Sequence, residues 1–303
     1  MPSSRRAPEP PVRSSGRPTR ERFRDLDPYR AEREWLRYEG TGQRDLYREL
    51  RERFLRRHTV DGGWVLDLGS GPGRFLPLIG GPGSHRVALD ISREMLNLLP
   101  GVWAESGMNR PRPDRVRGDA LRPPLAPRRW DEVVVLGNTL GFAGSDAESL
   151  LSQATELVSP RGLLLLEIAP GPGEHSRYLA RLPPSAAARL LRAPVRAVLP
   201  RVDREGFSVE LPRRRNPGAF RRFSAREVTD RLARDGWEVE ETIAVAPVLG
   251  PDRVRIDSVR SEPGAWIHLI DLEEQVGRRA ERWEPAAAVL LAARRPSSKR
   301  MIK

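Results

Sequence analysis

Three glycines at alternate positions, with an aspartate just before them, form the stretch whose residue types and spacing most clearly indicate chemistry. Gly69, Gly71 and Gly73 follow a short apolar run at residues 64–68, which is interrupted only by Asp67. Glycines at this spacing allow the backbone to bend sharply and leave room for a ligand directly against it. A carboxylate beside such a turn suits a ligand that carries an amino group or hydroxyls.

Two classes of ligand use a strand followed by a glycine-rich turn, namely dinucleotides and S-adenosylmethionine. The dinucleotide fingerprint is G-x-G-x-x-G, in which the third glycine permits close packing of a helix against the strand. In this chain the third glycine is Gly73, and the last position of the fingerprint is occupied by Arg74. Asp67 would repel a pyrophosphate and attract an ammonium group. The spacing therefore favours S-adenosylmethionine over a dinucleotide.

Apolar strand-like runs alternate with amphipathic helical patterns along most of the chain, which is typical of a parallel sheet with helices on both faces. After the run at 64–68, strands are predicted at residues 85–90, around Val116, and at 131–136, 162–168, 237–245 and 286–294. Helices are predicted at residues 27–38, 43–58, 72–79, 92–99, 147–157, 185–192, 224–235 and 266–279. We therefore expect an α/β protein with a doubly wound, mostly parallel sheet of seven strands.

Three local patterns support these assignments. Leu46, Leu50 and Phe54 recur at the spacing of one helix face. Ser92 stands where a helix N-cap is expected, directly before the helix predicted after the second strand. The leucines at 163–166 form a continuous apolar run, which indicates a central strand covered on both faces.

Several stretches flank or interrupt the alternation and suggest a domain organisation. The first segment is rich in Pro, Ser and Arg with little to bury, so it predicts disorder. The longest irregular stretches are too long for ordinary connections and predict a lid over a ligand site. The expected organisation is a disordered basic tail at 1–24, an N-terminal helical lid at 25–58, a sheet-containing domain at 59–294 with insertions at about 170–222 and 247–284, and a basic C-terminal tail at 295–303.

Four motifs in a fixed order give the chain a resemblance to a known family. Residues 65–73, VLDLGSGPG, resemble motif I of the class I S-adenosylmethionine-dependent methyltransferases, and residues 89–96 resemble their second motif. Residues 118–121, followed by 130–135, resemble the third motif and the fourth strand, and residues 160–167 resemble the approach to the fifth strand. The resemblance implies the Rossmann-like methyltransferase fold, S-adenosylmethionine as cofactor, and methyl transfer to an acceptor.

The resemblance also implies roles for residues in these motifs. Asp67 would receive the ammonium group of the cofactor, Asp90 would accept from both ribose hydroxyls, and Asp119 with the Ala120 amide would meet the adenine edge. Asp90 could instead be an ordinary helix cap, and Asp119 an ordinary turn residue. The full cofactor-binding set that we expect is Asp67, Gly69, Ser70, Gly71, Gly73, Asp90, Ile91, Asp119, Ala120 and Asn138.

Two residues are candidates for the reacting end of the site. Asn138 follows the fourth strand and would face the transferred methyl group, although it could be a simple turn residue. His175 follows the fifth strand and is the best-placed general base, although it could be an exposed loop histidine. Glu167 is expected simply to end the fifth strand, and His268 to lie on the apolar side of its helix. Aromatic side chains that could contribute to a lid are Tyr29, Trp35 and Tyr38.

Missing motifs narrow the class of acceptor. The chain has no cysteine, which excludes the covalent route that methylates C5 of cytosine in nucleic acids. After the fourth strand the sequence at 137–141 is GNTLG, without the Asn/Asp-Pro-Pro-aromatic run of amino-methylating enzymes that act on DNA adenine and protein glutamine. No cluster of metal ligands is present in the sequence, so no metal site is expected. The chain is thus most similar to the broad group that acts on small metabolites, and a small-molecule acceptor is expected.

Two other interpretations of the function stay open. Arg213, Arg214 and Arg215, with Arg221, Arg222, Phe220 and Phe223, form a basic segment with aromatics that could bind RNA by stacking on bases. In an arginine-rich chain the same residues could form a solvated face. A non-catalytic subunit that binds the cofactor is the third interpretation.

Composition limits location and partners. The chain has 303 residues and a formal net charge of +12, almost all of it from arginine, which is compatible with binding to polyanions. Without cysteine, disulfides and thiolate metal sites are excluded. No run of about 18 apolar residues and no N-terminal signal core is present, so neither a membrane span nor secretion is predicted. We expect a cytoplasmic location.

Overall fold

A seven-stranded sheet is the centre of the fold in the computed structural model of the chain. The structure describes residues 42–169, 175–176, 182–198, 200, 208–209, 223–249, 253–262, 264–279, 286 and 288–295. The strands are β1 Trp64–Leu68, β2 His85–Asp90, β3 Asp114–Arg117, β4 Trp130–Val135, β5 Val158–Ile168, β6 Glu238–Val245 and β7 Ala288–Arg294.

The order of the strands is β3-β2-β1-β4-β5-β7-β6. Six strands run in the same direction, and β7 runs in the opposite direction. Trp64 pairs with His85 and Val65 with Glu132, so β1 lies between β2 and β4. The order turns back at β1, and this reversal creates a crevice beyond the carboxyl ends of β1 and β4. The prediction of a doubly wound, mostly parallel sheet of seven strands is confirmed.

Eight α-helices have described bounds, and residues 195–198 are helical as well. The eight are α1 Gly42–His58, α2 Arg93–Glu105, α3 Thr139–Phe142, α4 Ala147–Leu157, α5 Pro184–Leu190, α6 Ala225–Arg234, α7 Arg253–Arg260 and α8 Ala265–Gly277. A 3₁₀ turn covers Gly144–Asp146, and a separate two-residue pairing joins His175–Ser176 to Ser208–Val209. Within these described helices, no segment is both long and apolar enough to cross a membrane.

Side chains alternate between the two faces of the sheet and build one apolar layer on each. In β5, Leu163 and Leu165 pack with α1, α2 and α8 on one face, and α5 and α7 join this layer. Leu164 and Leu166 pack with α4 and α6 on the other face. The leucine run of β5 is therefore buried on both faces, as its sequence predicts.

The prediction of a helix at 72–79 is wrong, because residues 71–78 form a series of turns. Their hydrogen bonds span three residues, from the Gly73 amide to the Ser70 carbonyl and from the Leu76 amide to the Gly73 carbonyl, at 3.0 and 3.2 Å. Pro72 and Pro77 have no amide hydrogen, so they cannot contribute to an α-helical ladder here. Leu76 and Ile79 are nevertheless buried, so the apolar side chains of this stretch pack in the core without a regular helix.

The two predicted insertions pack against each other in the described residues, although they are far apart in sequence. The Nδ1 atom of His268 in α8 lies 2.6 Å from the Leu191 carbonyl oxygen beyond α5. Arg255 of α7 donates through Nε to the Leu182 carbonyl oxygen at 2.7 Å. His268 is half-buried at this contact. The helices α5, α7 and α8 therefore form one layer, and α7 was not predicted because few of its residues are apolar.

A cluster of ion pairs fixes the last turn of α1 to β6 and α8. His58 lies 2.6 Å from Glu241 of β6, and Arg57 lies 2.5 Å from Glu274 of α8. Arg278 also contacts Glu241, at 3.0 Å. Burial raises the pKa of Glu241, but hydrogen bonds from His58 and Arg278 and the charge of Arg57 outweigh burial and lower that pKa to about 2.

Replacement of Glu241 by Gln should lower the free energy of unfolding by about 1–3 kcal/mol at pH 7. The lowered pKa means that this carboxylate stabilises the fold above pH 4.5 and that the contribution is lost as the pH falls toward 2. Urea titrations at several pH values should therefore show the two proteins converging in stability under acid conditions. Glu238→Gln, at the exposed start of the same strand, is the control and should match the parent throughout. A constant difference between Glu241→Gln and the parent down to pH 2 would contradict the assignment.

Candidate functional site

The glycine turn after β1 lies against the end of β2 and is held there by its backbone amides. The amides of Gly69 and Ser70 donate to the Leu89 carbonyl oxygen at 2.8 and 3.0 Å, and the Gly71 amide donates to Asp90 Oδ2 at 2.7 Å. Gly69, Gly71 and Gly73 all have positive φ, at 79°, 55° and 84°. Left-handed backbone of this kind is much less costly for glycine than for residues with a Cβ.

The three glycines serve different purposes in the turn. A Cβ on Gly69 would lie 2.3 Å from the methyl group of Thr139, and one on Gly73 would lie 3.0 Å from Leu99. These two glycines therefore permit close packing inside the protein. A Cβ on Gly71 would meet nothing within 4 Å. Gly71 is the position at which bare backbone borders open space, so a ligand could lie there.

Asp67, the last residue but one of β1, is a buried carboxylate whose hydrogen-bonding capacity is not fully used. It is 1% exposed, and its Oδ2 atom has no hydrogen-bond partner among the described residues. Burial, followed by the charges of Asp90 and Glu132, raises the pKa of Asp67 to about 8. An ammonium group at Oδ2 would supply both the missing donor and the missing positive charge.

Asp90 ends β2 with both carboxylate oxygens in use. Oδ2 accepts from Gly71, and Oδ1 accepts from the Ser92 amide at 2.8 Å. Burial raises the pKa of Asp90, and the hydrogen bonds from these amides oppose that shift. Ser92 is the N-cap of α2, as predicted, and accepts from the Met95 amide. Asp90 therefore braces the glycine turn, and its remaining lone pairs would be available for ribose hydroxyls.

The predicted adenine-binding residues lie at the same edge. The Gly118 amide donates to the Asp90 carbonyl oxygen at 3.0 Å, which places the end of β3 beside the end of β2. Asp119 accepts from the Leu121 amide at 3.1 Å through Oδ1, so it shapes the turn that contains Ala120. Both Asp119 and Ala120 are half-buried. Their role toward adenine, like that of the half-buried Ile91 toward the cofactor, stays a prediction.

Asn138 follows β4 in the left-handed conformation, with φ 65°, directly after Gly137 with φ 66°. It precedes α3 but makes no side-chain cap, and its Oδ1 atom is buried without a partner in the described structure. The next residue, Thr139, donates through Oγ1 to the carbonyl oxygens of Leu136 and Gly69, at 2.8 and 3.2 Å. The structure therefore brings Asn138 beside the glycine turn.

Three other sequence expectations have different outcomes. His175 lies in the short pairing with Val209, and its side chain lies outside the described residues, so its role stays a prediction. Phe223 is 1% exposed and packs in the layer around α4 and α6, so its side chain is not available for the base stacking that the RNA interpretation would use. The remaining residues of that basic segment, 213–215 and 220–222, lie outside the described residues, as do Tyr29, Trp35 and Tyr38.

Sequence reasoning missed the partners of Glu167, which does more than end β5. It is fully buried and forms a bidentate ion pair with Arg51 of α1. It also accepts from the Gly137 amide, next to Asn138, at 3.3 Å. A lone carboxylate in the otherwise apolar run of β5 was a signal that a buried partner exists, but nothing in the sequence identified Arg51.

Comparison with known proteins is consistent with this geometry. Residues 65–162 match the methyltransferase domain family. Over these residues the chain is similar to the class I S-adenosylmethionine-dependent methyltransferases. The match begins at the second residue of β1 and ends in β5, so it contains the glycine turn, Asp90, Asp119 and Asn138.

Individual relatives are more distant. A ribosomal RNA small subunit methyltransferase A from a Synechococcus species is 30% identical over 148 residues, which cover 42% of this chain and 51% of that protein. The chain thus spans about half the length of this curated relative. A solved complex between the Haloferax volcanii Trm112 methyltransferase activator and the putative methyltransferase matches with 17% identity and a TM-score of 0.52, over 92% of this chain and 99% of the other. This likeness concerns the fold.

The residues present at the site fit the methionine end of S-adenosylmethionine. Asp67 Oδ2 lacks a donor where the ammonium group would lie, and Gly71, four residues further along the chain, borders open space. No cluster of three or more His, Asp or Glu side chains in the described segments could hold a metal ion.

Replacement of Asp67 by Asn should weaken ligand binding and, at the same time, make the folded protein more stable. The variant should bind S-adenosylhomocysteine, which carries the same ammonium group, at least about tenfold more weakly in calorimetric titration. It should also unfold at a higher temperature at pH 8, because the raised pKa means that ionising Asp67 opposes folding as the pH rises toward 8.

Asp114→Asn, at the exposed start of β3, is the matched control for loss of one negative charge. It should change neither the affinity nor the unfolding temperature. Unchanged affinity in Asp67→Asn, or a stability loss at pH 8, would contradict the role given to the Asp67 carboxylate.

Proposed function

We propose that the protein transfers a methyl group from S-adenosylmethionine to a small-molecule acceptor. The observation that carries the proposal is the combination of two features at the end of β1. The buried Asp67 carboxylate has an oxygen without a donor, and the Gly71 backbone, four residues further along the chain, borders open space. Together they suit a ligand that brings an ammonium group and lies flat against the turn.

In the proposed site the chain binds and orients, and the bound cofactor supplies an activated methyl group. Asp67 would hold the ammonium group and Asp90 the ribose hydroxyls, which fixes the cofactor at both ends of the glycine turn. Methyl transfer is an in-line substitution, so placing the acceptor behind the methyl group is much of the catalysis. Asn138 would border that position, since it lies next to the glycine turn.

A small-molecule acceptor is favoured by the helices that cover this edge of the sheet. Because β7 is antiparallel to both β5 and β6, these two strands run in the same direction as β1. Their carboxyl ends therefore lie at the same edge of the sheet as that of β1. The segments with α5 and α7 follow those two ends. Arg260 of α7 contacts Asp45 in the first turn of α1 at 2.6 Å, so α7 lies beside the start of α1. Helices in this place could enclose a small acceptor, which suits lid roles for residues 25–58 and for both insertions.

RNA is the second candidate acceptor, because the curated relative is a ribosomal RNA methyltransferase. The buried position of Phe223 weakens this alternative, because its side chain cannot be part of a surface that stacks on bases. A non-catalytic cofactor-binding subunit is the third candidate. His175 would serve as general base only if the acceptor must lose a proton. We place the protein in the cytoplasm as part of the same proposal.

Replacement of Gly71 by Ala should weaken binding of S-adenosylhomocysteine by at least about tenfold, because a methyl group would occupy the space proposed for the ligand. Gly62→Ala is the matched control, since Gly62 also has positive φ and open space around its missing Cβ but lies before β1, at the opposite edge. Both variants should lose similar stability from left-handed strain. Equal affinities of the two variants in calorimetric titration would contradict the proposed cofactor position.

The acceptor class can be tested with a methyl-labelled cofactor and a cell extract. Label should enter a low-molecular-mass product that survives ribonuclease treatment and is reduced with Gly71→Ala at cofactor concentrations that do not saturate the variant. Label in ribonuclease-sensitive material would overturn the small-molecule acceptor and support RNA. Binding of S-adenosylhomocysteine without any labelled product would support the non-catalytic subunit instead.

A further inference from the structure

A buried ion pair joins α1 to the end of β5, close to the reacting end of the proposed site. Arg51 donates through Nε to Glu167 Oε2 at 2.8 Å and through Nη2 to Oε1 at 2.6 Å. The Glu167 side chain is fully buried, and that of Arg51 is 13% exposed. Two apolar side chains could fill such a place with equal or greater stability, so the pair is not explained by stability alone.

The ion pair has a third member, which belongs to the turn after β4. Glu167 Oε2, the oxygen that accepts from Arg51 Nε, also accepts from the Gly137 amide at 3.3 Å. Gly137 and Asn138 are both left-handed, a conformation that glycine adopts freely and that asparagine tolerates better than most residues with a Cβ. The bonds from outside the turn fix its position relative to the neighbouring strands.

The opposite end of the same turn is fixed to the glycine turn. Thr139 donates to the Gly69 carbonyl oxygen at 3.2 Å, and a Cβ on Gly69 would lie 2.3 Å from the Thr139 methyl group. Asn138 thus lies between two attachments, one to Glu167 through Gly137 and one to Gly69 through Thr139. A change in the orientation of Glu167 would be transmitted to the turn that carries Asn138.

We propose that Arg51 and Glu167 are positioning residues of the methyltransferase site. The bidentate pair orients Glu167 so that it holds Gly137, and this fixes Asn138 beside the cofactor. Through Arg51 the N-terminal helix α1 is coupled to the reacting end of the site. This inference rests on the proposed function, because it assumes that the cofactor lies on the glycine turn.

The same helix offers a matched ion pair that lacks this connection. Arg53 of α1 contacts Asp271 and Glu274 of α8 at 2.6 and 3.2 Å, and the side chains of Arg53 and Asp271 are about one-third exposed. Like Arg51, Arg53 anchors α1 to a neighbouring element, but both of these partners belong to α8 and not to the strand end that holds the turn after β4. A purely structural role for Arg51 would make the two arginines equivalent in their effect on the site.

The test compares Arg51→Lys with Arg53→Lys in the full chain, because lysine retains the charge and loses the bidentate fork. Calorimetry should show S-adenosylhomocysteine bound about fivefold to tenfold more weakly by Arg51→Lys and unchanged by Arg53→Lys. Amide exchange followed by NMR should show the Gly137 and Asn138 amides exchanging at least about tenfold faster in Arg51→Lys only. Indistinguishable variants would overturn the proposal.

Two further measurements keep the proposal testable if Arg51→Lys fails to fold. Glu167→Gln retains an oxygen for the Gly137 amide but loses the charge through which Arg51 orients the side chain at position 167, and it should weaken binding of S-adenosylhomocysteine to a similar extent. In the unmodified protein, the Gly137 amide should exchange as slowly as those of β4, and exchange at the rate of an exposed loop would overturn the inference. If the unmodified protein does not bind S-adenosylhomocysteine, the proposed function itself fails.

Discussion

The buried carboxylate of Asp67 is the constraint around which the carboxyl edge of the sheet is arranged. It lies near the end of a central strand and near two other buried acids, Asp90 and Glu132, and keeps one oxygen without a donor in the described structure. Such a group opposes folding when it is ionised, and a core built for stability alone would not contain it. Its position fits the proposed role of pairing with a cationic ligand, and the backbone at Gly71 borders open space.

The neighbouring elements hold that ligand position by mutual contacts. Asp90 fixes the Gly71 amide from β2, and Thr139 fixes Gly69 from the turn after β4. Glu167 holds the same turn from β5 and is itself oriented by Arg51 of α1. Four elements that are separate in sequence are thus joined into one rigid edge. This arrangement is the kind of preorganisation that methyl transfer requires, since the reaction depends on accurate placement.

Much of this arrangement could be predicted from the sequence, because the relevant signals are local. The strand at 64–68 and the helix at 147–157 have the predicted bounds, and Asp67 and the glycines were found by their spacing. A helix was predicted at 72–79 because one usually follows a strand and a glycine-rich turn, but residues 71–78 form turns and include two prolines that lack an amide hydrogen. The pair of Arg51 and Glu167 spans 116 residues, and no local pattern reports a contact that depends on how α1 packs against β5. The packing of α5 on α7 was not predictable for the same reason.

We propose that Asp67 receives the cofactor's ammonium group, a claim that can be tested by measuring proton release on binding. With a pKa of about 8, Asp67 is mostly protonated at pH 7 in the free protein and must ionise to pair with an ammonium group. Calorimetric titration with S-adenosylhomocysteine in buffers of different ionisation enthalpy should therefore show release of about one proton at pH 7, declining above pH 8. Binding without proton release at pH 7 would contradict the claim.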